Sequence, residues 1–270
     1  MSTLELTILG SGFSGGVPRS DGDWGRCDPA EPRNRRSRCS LLVRKLSEGH
    51  GSGEATTLMV DTSPDLRLQA SDAKVSHLDA VLYTHEHADQ THGIDDLRGF
   101  FLKSGRRTPC HMDAATYASL SRRFGYVFDG IGGYPAICDA HLIPPHGTPW
   151  SVNGPSGEIP IITFDQNHGE LRSVGYRFGN VVYSPDVLDF PDDAWPMLEG
   201  LSLWIVDALR EAPHPSHAHL SRTLAWIERL KPERAILTNM HSDLDYNALK
   251  ARVPPGVDVA YDGMRVEVSL

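Results

Sequence analysis

Residues 80–99 read A-V-L-Y-T-H-E-H-A-D-Q-T-H-G-I-D-D-L-R-G. An apolar run at 80–83 leads into His85, His87 and Asp89 at alternating positions, then Gln90 and His92. Imidazole and carboxylate are the side chains that hold borderline divalent metals such as Zn and Mn. Along extended backbone, side chains two apart point the same way. His85 and His87 therefore reach one metal together. Asp89 shares that direction, or serves a second metal if the chain turns there. Asp89 is also a good helix N-cap, so a short helix is expected to begin near Gln90.

On the N-terminal side, 3–9 (T-L-E-L-T-I-L) alternates as a half-buried strand does. It runs into G-S-G-F-S-G-G-V-P at 10–18, a turn where backbone can approach a ligand closely. No Gly-Lys-Ser/Thr follows, so this is not a nucleotide P-loop. Arg33, Arg35, Arg36 and Arg38 form a basic run, read as a solvated face or as a loop facing phosphate. Strands are expected at 40–46 and 58–61, joined by a Gly/Ser-rich loop at 47–57, with a helix at 64–70 behind Ser63-Pro64.

On the C-terminal side, helices are expected at 114–124, 220–230 and 246–253. Strands are expected at 159–164, 174–178, 181–184, 201–206, 235–237, 257–261 and 266–270. Residues 129–158, rich in Gly and Pro, read as surface. Apolar strands are repeatedly followed by a ligand-capable residue: Asp61, His85 with His87, Asp186, Asp207 and His241. Strand ends on one edge of a layered α/β fold lie close together, and sites form there.

The chain has 270 residues, 40% hydrophobic and 23% charged, with no repeat or linker that divides it, so 1–270 is read as one domain. No secretory signal and no run of ~18 apolar residues is present, which argues against a membrane span. Four cysteines without a C-x-x-C pair fit reduced thiols and a cytoplasmic location. The net charge of −9 argues against extended nucleic acid as a partner, since that needs a basic face. A small phosphate substrate remains compatible, because local cations decide. Cys39 and Cys110 read as small buried apolar groups. His111, His141, His146, His214 and His219 read as structural or surface residues.

The order H85-E-H87-A-D89-Q90, His168 in Q-N-H-G-E, Asp186 in Y-S-P-D-V and His241 in L-T-N-M-H resembles the ligand series of the metallo-β-lactamase superfamily. L-G-S-G-F-S-G-G-V-P, N34-R-R-S-R-C-S-L-L-V, V60-D-T-S-P-D-L-R, T91-H-G-I-D-D-L-R and P215-S-H217 are similar to the phosphoribosyl 1,2-cyclic phosphate phosphodiesterase family. These motifs cover nearly the full length. The resemblance implies an α/β (α+β) architecture, a four-layer αβ/βα sandwich of two mixed sheets with helices outside. It also implies up to two Zn or Mn ions. His85, His87 and His168 would hold the first, Asp186 would bridge, and Asp89, position 90 and His241 would complete the second.

Two positions depart from that pattern. Gln90 stands where the superfamily usually has His, and an amide carbonyl is a weaker Zn ligand than imidazole, so the second site is expected to be weakened. His92, two residues on, falls inside the expected helix. Asn239 stands where relatives often carry another histidine, which leaves His241 as the expected ligand. With Cys27 alone near the N-terminus, no cysteine-rich structural zinc is expected.

The reaction implied is hydrolysis of a small cyclic ribose or nucleotide phosphodiester by a metal-bound hydroxide. Asp89 would orient the nucleophile and His217 would protonate the departing sugar oxygen. Other readings are a tRNA 3′-processing nuclease, a thioester or lactone hydrolase, a pyrroloquinoline-quinone synthesis protein of this fold, and a degenerate binding module. The sequence is compatible with a homodimer.

Overall fold

The computed structural model describes residues 3–46 and 55–269; residues 47–54 of the expected loop lie outside them. The first sheet holds β1 (Thr3–Gly10), β2 (Ser40–Leu46), β3 (Thr56–Val60), β4 (Ala80–Leu82), β5 (Thr108–Met112), β6 (Cys138–Leu142) and β14 (Met264–Ser269). Its strand order is β14-β1-β2-β3-β4-β5-β6. The second holds β7 (Trp150–Val152), β8 (Ile159–His168), β9 (Leu171–Phe178), β10 (Val181–Ser184), β11 (Leu203–Asp207), β12 (Arg234–Thr238) and β13 (Val257–Val259). Its order is β13-β12-β11-β10-β9-β8-β7. Each sheet is mixed: β3 to β6 run parallel, as do β10 to β13.

The period of two explains the layering. Leu4, Leu6 and Ile8 of β1, Leu41 and Val43 of β2, and Leu58 and Val60 of β3 face the core shared with the second sheet. The alternate residues Leu42, Met59 and Val81 face the other way, as side chains one apart on a strand must. There they meet α1 (Leu66–Asp72), α3 (Arg98–Ser104) and α4 (Ala114–Asp129). On the second sheet, α5 (Leu220–Leu230) contributes Leu220 and Trp226, and α6 (Tyr246–Lys250) contributes Tyr246 and Leu249. The result is the expected αβ/βα sandwich. Among the described residues, no helix is long and apolar enough to cross a membrane.

Several local expectations are revised. The helix after the His motif, α2 (Ala88–Thr91), is capped by His87, and Asp89 sits in its first turn. Helix α1 starts behind Asp65 rather than at Pro64. Helix α4 runs past its expected end at 124 with a non-helical Phe124 (φ −131°), and stops at Gly130. Residues 129–158 contain β6 and β7, with Ile137 and Cys138 fully buried. The glycines at 10 and 12 make room for the neighbouring 36–38 segment. A Cβ on Gly10 would lie 1.9 Å from Arg38 O, and one on Gly12 would lie 2.8 Å from Arg36 Cβ.

The basic run is not a single solvated face. Arg36 is 2% exposed. Its guanidinium donates to Leu244 O (2.7 Å), His241 O (3.3 Å) and Asn34 Oδ1 (3.3 Å). It ties the N-terminal loop to the segment after β12.

Candidate metal centre

The edges of the two sheets meet at the site. In register, Val60 of β3 pairs with Leu82 of β4, so Asp61 lies beside the chain that enters the His motif. Ser184 of β10 pairs with Val206 of β11, and Asp207 pairs with Thr238 of β12. Asp186, Asp207 and Asn239 therefore lie at the same edge of the second sheet. Val174 N donates to Thr84 O (2.9 Å) and Tyr176 OH to Tyr83 O (2.7 Å), joining the sheets there. Asp61, Asp186 and Asn239 have φ of +64°, +50° and +60°. Asp and Asn tolerate this left-handed region better than other side chains, and such strain gathers at functional sites.

Three imidazoles converge. His85 Nε2 is 2.9 Å from His87 Nδ1, and His168 Nε2 is 3.3 Å from the same atom. Two nitrogens bound tetrahedrally to one Zn stand about 3.4 Å apart, given Zn–N near 2.0–2.1 Å. The spacing fits one ion. The remaining nitrogens of two rings are fixed from behind. His168 Nδ1 donates to Ser216 O at 2.7 Å. His85 Nδ1 is 3.0 Å from Thr84 Oγ1, which donates to Asp61 Oδ2 at 2.8 Å. Such bonds set the tautomer and leave the inward lone pair free for a metal. Burial, with the neighbouring imidazoles, holds the His85 pKa well below the ordinary histidine range. Burial and the His217 charge bring His168 down to about 3. Both rings are thus neutral donors. His87 is exposed and opens onto a cleft of about 710 Å³ lined also by Asn167, His168, Glu170 and Ser216.

A second group is built on His217. Its Nδ1 donates to Asp207 Oδ2 at 2.7 Å, and its Nε2 is 3.9 Å from Asp186 Oδ1. Burial works against its charge, but Asp207, Asp186 and Asp89 outweigh that and raise its pKa to about 9. Burial pushes the Asp186 carboxyl up to about 8, opposed by the His217 charge and reinforced by those of Asp89 and Asp207. Asp207 was visible in the sequence only as a strand-end acid. Its partner lies ten residues on, in the loop before α5.

Among the described residues, two groups of three ligand atoms lie within 4.8 Å of one another: His85, His87, His168 and His168, Asp186, His217. Asp89, His92 and His241 join neither. His92 packs its ring on Phe124. His241 packs on Phe13 with ring centroids 4.3 Å apart, and its Nδ1 faces Asp243 Oδ2 at 3.2 Å. His241, expected as a ligand, thus stands apart from both groups of converging atoms. The residue that leaves β12 into the site is Asn239, 1% exposed, and the left-handed turn there carries position 241 onto the neighbouring loop. Asn239 Nδ2 lies 3.4 Å from His217 Nδ1, and its hydrogen bonding favours the charged forms of Asp186 and Asp207 beside it. Gln90 Nε2 lies 3.1 Å from Asp186 Oδ2 and 3.3 Å from Asp89 Oδ2.

The β-lactamase superfamily domain is matched over residues 56–240. The chain belongs to this superfamily. Within it, a diphosphatase of the PhnP family superposes with a TM-score of 0.85 at 32% identity, over 99% of this chain and 98% of that one. The chain thus belongs to the PhnP family as well. Zn-bound PqqB from Methylobacterium extorquens shares the fold at a TM-score of 0.70 and 19% identity, covering 97% of this chain and 99% of that one. In sequence, the chain is 29% identical to an octanoyltransferase of Porphyromonas gingivalis (strain ATCC BAA-308 / W83) over 97% of its own length. It spans only about half (51%) of that protein. The metallo-β-lactamase fold and the His/Asp clusters imply a divalent-metal centre.

Proposed function

We propose that the chain is a metal-dependent phosphodiesterase acting on a small cyclic ribose or nucleotide phosphodiester, of the phosphoribosyl 1,2-cyclic phosphate kind. The observation that carries this is His217, a charged imidazole braced by Asp207 at 2.7 Å beside the three-imidazole cluster. The similarity to a diphosphatase supports phosphate chemistry. His85, His87 and His168 would hold a divalent ion, which would supply Lewis-acid stabilisation of phosphate charge and a nucleophile near neutral pH.

The chain's own groups do the rest. In this reading Asp89 helps to orient the attacking oxygen. Phosphorus gains that oxygen as the bond to the ribose oxygen breaks with its electron pair. His217 Nε2–H gives its proton to the departing oxygen. Asp207 keeps the ring oriented and balances its charge while protonated. The products are a phosphomonoester and one new hydroxyl.

The test compares turnover of a cyclic ribose phosphate, bis(p-nitrophenyl) phosphate and a thioester by the Zn- and Mn-loaded chain. His217→Ala is expected to lower phosphodiester kcat by about 10²–10⁴-fold with metal content retained. Turnover of the thioester alone, or an unchanged kcat in the variant, refutes the proposal.

A further inference from the structure

We infer that this chain binds one divalent ion, on His85, His87 and His168, and that the amides of Gln90 and Asn239 close the position where a two-ion site would hold the second. The inference rests on the metal-binding part of the phosphodiesterase reading and not on its substrate.

Four observations carry it. Gln90 is 1% exposed, and its Nε2 sits between the carboxylates of Asp89 (3.3 Å) and Asp186 (3.1 Å), the two acids a second ion would need. Asn239, just past β12, brings a second buried amide to the same group: its Nδ2 is 3.4 Å from His217 Nδ1, and its hydrogen bonding favours the charged form of Asp186. His241 is turned to Phe13 and Asp243. Asp89 belongs to no group of converging ligands among the described residues.

The physical sense is substitution of donors for a cation. Buried carboxylates need positive partners or hydrogen-bond donors. At Asp186 the Gln90 amide donates at 3.1 Å, the charged His217 ring stands 3.9 Å away, and the Asn239 amide lies beside that ring. The counterweight is that Gln90 Oε1 and Asn239 Oδ1 are buried without partners. With the amides flipped, those oxygens would face carboxylates, an arrangement that only a cation relieves. The two orientations make opposite predictions about stoichiometry.

The experiment loads the full chain with excess Zn²⁺ or Mn²⁺, removes free metal, and counts ions per chain by elemental analysis. Mn²⁺ electron paramagnetic resonance reports whether ions are paired. The expected result is one ion per chain and an uncoupled Mn²⁺ spectrum. The double variant Gln90→His with Asn239→His is expected to bind two, with spin-coupled Mn²⁺. Two ions on the unaltered chain overturn the inference without need of any variant. A folded double variant that still binds one overturns the role of the amides. One ion without phosphodiester turnover refutes the functional proposal alone; two ions with turnover refutes this inference alone.

Discussion

Thr84→Val tests whether the metal centre is oriented from behind. Valine keeps the shape of threonine and removes its hydroxyl. Two bonds go with it: the 3.0 Å contact to His85 Nδ1 and the 2.8 Å bond to Asp61 Oδ2. Asp61, fully buried, keeps only the 2.8 Å bond from Thr84 N. Groups that orient a ligating histidine are worth about 10–100-fold in metal affinity. On the binding scale 10–100-fold is about 1.4–2.7 kcal/mol. Competition with a chromophoric chelator is therefore expected to show the Zn Kd raised by about 10–100-fold. Thr84→Ser, which restores the hydroxyl, is expected to recover most of that loss. A folded Thr84→Val variant with unchanged Kd refutes the orienting role. A role in the core alone would lower the Tm of the metal-free protein and leave Kd untouched.

Arg36→Met should cost about 2–3 kcal/mol, because it removes a charged donor from the otherwise buried carbonyl of Leu244 at 2.7 Å. Thermal unfolding is expected to show Tm lowered by about 4–12 °C, and an unchanged Tm counts against the strut. Burial, then the neighbouring His141, depresses the His111 pKa from 6.5 to about 4. Between those values the unfolded chain takes up a proton that the folded chain refuses, so His111 lowers stability as pH falls through that window. His111→Gln should lose less urea stability than the unaltered chain between pH 7 and pH 4.5; equal losses refute this assignment.

How far the sequence could be read follows from the range of each interaction. Strands with period-two alternation, such as 3–9 and 40–46, were legible because burial on one face is a local pattern. Strand β5 carries Pro109, which breaks a strand pattern. Strand β6 alternates little, with burial falling from Cys138 to exposed Leu142. Neither offered a periodic signal. The last four residues of β8 were missed because Asp165, Gln166, Asn167 and His168 are polar, yet Gln166 and His168 are buried by the site itself.

The centre divides in the same way. Sequence alone carried the motifs whose resemblance to a known family implies the superfamily, the layered fold and the three imidazoles. Tertiary structure alone decided which polar groups face one another. It set Asn239 beside His217 and His241 against Phe13, put Gln90 between two carboxylates, and paired His217 with Asp207 and His168 with Ser216 O. Each choice depends on the direction of a strand end or a left-handed turn. Those directions are fixed by packing between segments far apart in the chain, where no local pattern records them.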